Sequence, residues 1–427
     1  MAAAWRGVTV WPRKPIITTL EVETLMRMHR SVRLAITATA VAVTALAMVA
    51  VPALAGTRSA KASDPYLTAD TQMTFQATIG GAGSTFAGPL QNAAQAAFAA
   101  RNQNASFNGY QLVGSGTGES DILKKIVDWG GTDVPMSQTD ISSKEPAGDN
   151  YTVSQFLEVP IGLGGVAIAY NLPGLKLKPK TPLILTGRVL AEIYDGAVHY
   201  WDSAAIRALN PKSHFPHKRI VVVARGDSSG TTYIFTNFLN DAAPTIWSTL
   251  PAKTPLTLPA DGIAGNGNPG VAADIQTTPD SIGYVEYSYV LLNPSLLKGV
   301  AAIVNEAGVP VTPSSAGVAA AAAAKPGVTA ADFSIDWQPG KTTYPIAGYT
   351  WAVIWKQNQT SDNEGTLLVK YLDWLSHSGI NGSVAGQDIA VQQGYVALPA
   401  NIQALARKTL LQCTGSQGQT LLTTTSS

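Results

Sequence analysis

The chain has 427 residues, 45% hydrophobic and only 13% charged, with 29 Lys and Arg against 28 Asp and Glu. That length suits two or three domains of roughly 150 residues each, and a net charge of +1 with no basic run excludes a nucleic-acid binder that works by counterion release. A single cysteine, Cys413, excludes an intramolecular disulfide, a thiolate zinc cluster and a CxxC redox pair, and five scattered histidines argue against a His-based metal site.

In chain order, Arg30 and Arg33 lead into an apolar run at residues 34–51, followed by Ala53-Leu54-Ala55 before Gly56. Positive flank, apolar stretch and small-x-small site come in the order of a secretory signal, so export with cleavage near Ala55-Gly56 is expected. The alternative is a retained anchor helix, because about 18 apolar residues nearly span a bilayer. No cysteine follows the run, which excludes a bacterial lipoprotein anchor. Glu21 and Glu23 are foreign to a signal n-region, so translation is expected to start at Met26 or Met28. Residues 1–55 therefore stand outside the fold, and 56–71 read as a flexible lead.

Residues 74–79 read as a strand that ends in Gly80-Gly81-Ala82-Gly83-Ser84-Thr85, and a helix follows with Leu90, Ala93, Ala94, Ala97 and Phe98 on one face. The unit repeats: a strand at 110–113, the turn Gly114-Ser115-Gly116-Thr117-Gly118, then a helix burying Ile122, Leu123, Ile126 and Val127. A buried strand is expected at 165–170, and a helix at 186–194 capped by Thr186 and stopped by Gly196. A strand at 220–224 meets Arg225-Gly226-Asp227-Ser228-Ser229-Gly230-Thr231 and a helix through Leu239. The Ala-rich run 316–324 reads as an exposed helix, 351–355 as a late strand, 363–375 as an amphipathic helix, and 414–427 as a disordered tail. Strands alternating with helices predict an α/β fold with mostly parallel pairing.

Three strand-to-helix turns share Gly beside Ser or Thr where a helix begins. The first N–H groups of a helix lack backbone partners, the macrodipole places partial positive charge there, and Gly admits a ligand close to the backbone. Each turn taken alone reads as an ordinary N-cap. Their convergence is the signal, since the carboxyl ends of strands in an open α/β sheet would bring Thr85, Ser115 and Ser229 to one crevice. Arg225 adds a planar fork for two oxygens of an oxyanion, against the plainer reading of a surface arginine. Asp227 either holds that guanidinium or caps the helix. No dinucleotide fingerprint or Walker loop is present, because Glu119 stands where a third glycine would and no GK[ST] occurs.

These residues resemble the phosphate-binding protein of the phosphate-specific ABC transporter, the PstS family. The resemblance is carried by Gly81-Ala82-Gly83-Ser84-Thr85-Phe86, by Tyr110 to Gly116 with Val127-Asp128-Trp129-Gly130-Gly131-Thr132-Asp133-Val134-Pro135, by Arg225 to Thr231, and by Ser281-Ile282-Gly283-Tyr284-Val285-Glu286-Tyr287. It covers residues 75–410. It implies that phosphate is held by Thr85, the backbone of Phe86, Ser115, Arg225, the Ser229 hydroxyl, the backbone of Gly230 and Thr231, and the Thr231 hydroxyl. Asp133 would accept the ligand's proton, which phosphate carries near neutrality and sulfate does not; its plainer reading is a turn cap. Ser84 and Ser228 depart from the family pattern, each offering an extra hydroxyl to the pocket or a helix cap.

The resemblance further implies a two-lobed periplasmic binding protein of type II, with two crossover hinge strands and the ligand in the cleft. Lobe 1 would take 72–160 and 345–413, lobe 2 would take 161–344, and the hinges would lie at 160–165 and 344–349. An exported monomer delivering phosphate to an ABC-transporter permease is expected, in the periplasm or extracellular space, with no cofactor, metal, catalytic residue or nucleic acid. Two rival readings stay open. Gly226-Asp227-Ser228-Ser229-Gly230 fits a nucleophile elbow, which would make Ser228 the nucleophile of a phosphate-ester hydrolase with His377 as the available base, although a solvated helix-end role suits that histidine better. A phosphate-binding surface protein without a transport partner is the other.

Overall fold

The computed structural model describes residues 73–248, 251–380 and 382–422, all within one compact unit that begins at Ala62. The signal segment and the start-codon reading lie outside the described residues.

Strand β1 (Ala77–Gly83) leads to α1 (Gly88–Arg101), β2 (Ala105–Leu112) to α2 (Ser115–Leu123), and β3 (Trp129–Thr132) to α3 (Gln138–Lys144). After the long β4 (Phe156–Asn171) come α4 (Gly187–Tyr194), β5 (Val221–Arg225), α5 (Gly230–Ala242), β6 (Ile263–Gly265), α6 (Gly267–Thr277) and β7 (Ser281–Glu286). The chain then returns through β8 (Ala347–Trp355) and α7 (Asp362–Leu375). The eight strands order as β2-β1-β3-β8-β4-β7-β5-β6.

Pairing is parallel in the outer parts, where β1 joins β2 and β3, and β5 joins β6 and β7. It is antiparallel in the middle, where β8 joins β3 and β4, and β4 joins β7. The mostly parallel sheet expected from strand–helix alternation is thus interrupted by two central strands. The physical reason is that β4 and β8 run opposite ways between the two lobes. The first part of β4, Phe156 to Gly165, pairs with β8, and from Val166 onward it pairs with β7. One strand therefore serves both halves of the fold. The change of partner falls beside Gly164, where an added Cβ would lie 2.9 Å from the Phe86 ring and 3.1 Å from Glu286 Oε1. No side chain but hydrogen fits there.

Several expected elements shift in register or extent. The first strand runs on through the glycines to Gly83, because pairing with Leu112 and Gly131 continues that far. Helix α2 stops at Leu123, so Ile126 is 65% exposed instead of buried. Lys125 takes a left-handed φ of 57°, and the bonds Ile126 N–H to Asp121 O and Lys125 N–H to Ile122 O close a Schellman ending. The Ala-rich helix Ser315–Ala324 forms, but Val318, Ala321 and Ala322 are buried, so it packs with one face against the core. The tail is packed through residue 422: Leu421 and Leu422 are buried, and Ser416 N and Gln419 Nε2 donate to Asp362. Residues 423–427 lie outside the described residues. Thr186 and Gly196 cap and stop α4 as expected, with Thr186 Oγ1 accepting from Val189 N and Gly196 at φ 80°. Helix α7 buries Leu367, Leu368, Tyr371, Leu372 and Leu375.

Candidate functional site

Helices α1, α2, α5 and α6 begin where strands end, and the turns at their starts meet, with the end of β3 beside them. Strand β1 delivers Ser84, Thr85 and Phe86; β2 delivers Ser115; β3 delivers Asp133; β5 delivers Arg225 and the turn to Gly230 and Thr231. All eight predicted ligand residues are buried. They are brought together by bonds between segments far apart in the sequence. Gly230 N–H donates to Ser115 Oγ at 3.1 Å, and Gly116 N–H donates to Ser228 O at 3.2 Å.

The hydroxyls share one polarity. Ser115 Oγ accepts from Gly230 N, Ser229 Oγ accepts from Thr232 N at 3.1 Å, and Thr85 Oγ1 accepts from Asn268 N at 3.0 Å and Nδ2 at 3.1 Å. Thr231 Oγ1 accepts from Arg225 Nη1 at 3.2 Å and Asn268 Nδ2 at 3.0 Å. An oxygen whose lone pairs take protein N–H groups keeps its own hydrogen to give away. Four hydroxyls are thereby set as donors.

Arg225 is fixed by its neighbours. Nε donates to Asp227 Oδ1 at 2.7 Å, Nη2 pairs with Asp227 Oδ2, and its backbone N–H donates to the Tyr284 hydroxyl at 3.1 Å. Asp227 therefore takes the first of its two predicted roles, holding the guanidinium, and also accepts Gly267 N–H at 3.1 Å. The guanidinium keeps N–H donors beyond these bonds, held in a fixed plane.

Among the eight predicted ligand residues, Asp133 alone carries a carboxylate. Its Oδ1 takes the Ser84 hydroxyl at 2.5 Å, and its Oδ2 is buried with no partner. Burial pushes its carboxyl up to about 6, against the downward pull of the Ser84 hydrogen bond, of the nearby Thr350 hydroxyl and of Arg225. Ser84 thus serves Asp133, and its Oγ also takes the Phe86 N–H at 3.0 Å. Gly230 packs against Asp133 so closely that an added Cβ would lie 2.6 Å from Asp133 Cβ and Oδ2. Ser228 is half-buried, and its Oγ lies where a Cβ on Gly116 would be, 2.1 Å away. His377 is buried, a correction to the solvated role expected for it, with Nδ1 on the Asp373 carbonyl at 2.6 Å just past the end of α7.

Three residues of this site escaped the sequence reading. Asn268 is its hub: besides Thr85 and Thr231, its Oδ1 accepts Glu286 N–H at 2.9 Å. The signal was available, since Asn266-Gly267-Asn268-Pro269-Gly270 is a fourth glycine-bearing turn between a strand and a helix. Tyr289 gives its hydroxyl to Thr85 O at 2.7 Å. Glu286, fully buried with Oε1 unpartnered, is pushed up to about 8, first by burial, with Asp133 adding to the rise. No local pattern marks either one.

A two-lobed α/β fold whose strand ends and helix starts surround a cleft defines the PBP superfamily, and residues 67–378 match the PBP superfamily domain. A protein of Haemophilus influenzae named phosphate-binding protein PstS is 32% identical over 329 residues, 76% of this chain and 90% of that one. Its namesake from Methanocaldococcus jannaschii is 32% identical over 311 residues, 69% and 75% of the two chains. The chain belongs to this PstS family. Among solved structures, a high-affinity periplasmic phosphate-binding protein with phosphate bound superposes with a TM-score of 0.62 at 24% identity, over 78% of this chain and 94% of that one. A phosphate-binding protein from Stenotrophomonas maltophilia gives 0.58 at 20%, over 78% and 94%. At such identities the likeness is one of fold. No helix among the described residues is long and apolar enough to cross a membrane.

Proposed function

We propose that this chain is an exported receptor that captures inorganic phosphate, as HPO4 or H2PO4, between its lobes and delivers it to an ABC-transporter permease. Thr85, Phe86, Ser115, Arg225, Ser229, Gly230 and Thr231 would hold the anion, with Asp133 accepting its proton. The carrying observation is the buried, unpartnered Oδ2 of Asp133, set among hydroxyls poised to donate. A wholly donor-lined site suits any tetrahedral oxyanion. One acceptor among the donors suits an anion that still carries hydrogen. Against sulfate the carboxylate would stay unpaired, at a cost of about 1 to 3 kcal/mol or more for a charged group, and sites built on a required hydrogen bond reject the analogue lacking it by about 10⁴ to 10⁵.

Calorimetric titration of protein stripped of co-purified phosphate tests this. The wild type is expected to bind phosphate and to reject sulfate, and Asp133→Asn, whose amide donates, is expected to narrow the preference by about tenfold or more. Equal affinity of the wild type for both anions would end the proposal. Delivery to a permease is tested separately by phosphate uptake in a strain lacking its own receptor. Ester hydrolysis gains no support, since the Ser228 hydroxyl packs on Gly116; Ser228→Ala is expected to leave phosphate binding intact.

A further inference from the structure

Beside the site lies a cluster of charges that the binding of an anion does not require. Glu119, on α2, is fully buried, with Oε1 taking the Thr132 hydroxyl at 2.7 Å and Oε2 taking Lys144 Nζ at 2.6 Å. Asp140, on α3, receives Lys144 Nζ at 3.1 Å on Oδ1, and Ser137 N and Oγ at 3.0 and 2.7 Å on Oδ2. These groups all belong to the elements that carry Ser115 and Asp133. They leave that lobe with two carboxylates and one ammonium. The second ammonium comes from the other lobe: Lys253 Nζ reaches Glu119 Oε1 at 2.8 Å and Asp140 Oδ1 at 3.0 Å, with its side chain only 9% exposed. Its backbone carbonyl meanwhile accepts the N–H of Ser229 at 2.7 Å, in the turn that carries Gly230 and Thr231. The cluster lines a cavity of about 1020 Å³ reaching Glu158 on one side and Tyr233 on the other.

We propose that Lys253 is a latch that holds the lobes closed on the anion, joining the ligand turn of one lobe to the buried acids of the other. The inference rests on the phosphate-receptor reading for its ligand. Glu119 and Asp140 are matched by Lys144 and Lys253 only when the lobes meet, and Glu158, which lines the same cavity, is a further carboxyl facing Lys253. Drawn apart, Glu119 and Asp140 keep Lys144 alone, and one negative charge is left over next to a site for anions. A buried pair that loses one member leaves the other charged and unpaired, which raises the rate of dissociation more than it lowers the rate of encounter. Lys253 is a positioning residue, since it reaches the anion only through Ser229 and through closure.

Stopped-flow release of phosphate and small-angle scattering, on the wild type, Lys253→Met, Lys253→Arg and Asp140→Asn, test the latch. Methionine keeps the apolar stem and the backbone carbonyl. Lys253→Met is expected to release phosphate about 30-fold faster, a loss in line with truncating one partner of a buried charge pair, with association nearly unchanged and a larger radius of gyration in subsaturating phosphate. Lys253→Arg should recover most of the slow release. Asp140→Asn, which keeps Glu119 in place, should fall between and covers the case in which the methionine variant does not fold. Release at the wild-type rate with unchanged scattering, in either Lys253→Met or Asp140→Asn, overturns the latch. If the wild type binds no phosphate, the ligand reading has failed, and scattering of the free proteins then decides: a more expanded Lys253→Met supports the latch, and equal radii reject it.

Discussion

Thr85 and Thr231 show how a neutral side chain becomes a directed donor. Each hydroxyl is filled on its acceptor side by Asn268, so its remaining hydrogen has to find another oxygen. Asn268→Ala removes the amide that sets both, and is expected to weaken phosphate binding by about tenfold or more, as each unpaired buried partner costs about 1 to 3 kcal/mol; titration of the folded variant measures it. Gly230 is the steric counterpart. A methyl group there would press on Asp133 across the cleft, and overpacking of that kind costs about 1 to 3 kcal/mol. Gly230→Ala should therefore weaken phosphate binding by roughly tenfold with little change in melting temperature, and equal affinities would show that Asp133 moves aside freely. At this scale the sequence was informative wherever a residue belonged to a local turn. Thr85, Ser115 and Arg225 could be picked out from the Gly-Ser-Thr pattern around them. Asn268 stood in a fourth such turn that went unread, and Lys253 carries no local mark, because its partner Glu119 lies 134 residues away.

At the scale of elements, three carboxyls with raised pKa values sit at strand ends or on the crossover strand. Asp133 follows β3, Glu286 ends β7, and Glu158 lies on β4, where it accepts the Met136 N–H and is pushed up to about 7, chiefly by burial. All three stand above their unfolded values near 4, Asp133 at about 6 and Glu286 at about 8. A group with a raised folded pKa binds its proton more tightly when folded, so its contribution is complete below the unfolded value and is lost as pH rises through the folded one. Stability should accordingly fall between about pH 4 and pH 8 in phosphate-free buffer, by about 2 to 4 °C in melting temperature per kcal/mol for a domain of this class. Glu286→Gln should flatten the upper part of that slope. Asp140, held low by Lys253 and by Ser137 against its burial, works in the opposite sense, but only below its unfolded value near 4. The tail is an element too: Leu421→Ala should cost about 2 kcal/mol or more, as truncating a buried leucine does, and a wild-type melting curve would mean the tail does not pack in solution.

For the whole molecule, alternation of strands and helices was enough to recognise an α/β fold, and the apolar face of α7 was fully legible. The antiparallel centre was not, because direction of pairing is a property of chain return, and β8 meets β4 only after the entire second lobe has intervened. Two other outcomes were hidden as well: Ile126 is exposed because a left-handed lysine ends its helix early, and the alanine helix packs one face on a surface formed far along the chain. Closure of the lobes on phosphate remains the expected large motion, with hinges proposed where β4 and β8 cross.

The sharing of β4 also orders the birth of the molecule. Until β8 has been synthesised, β3 and the first half of β4 present raw edges with nobody to pair them, whereas β7, β5 and β6 already have what they need to complete their own ladder. The lobe bearing Thr85 and Asp133 must then be the late one to mature, and a nascent chain waiting at that stage exposes the kind of open border on which aggregation starts.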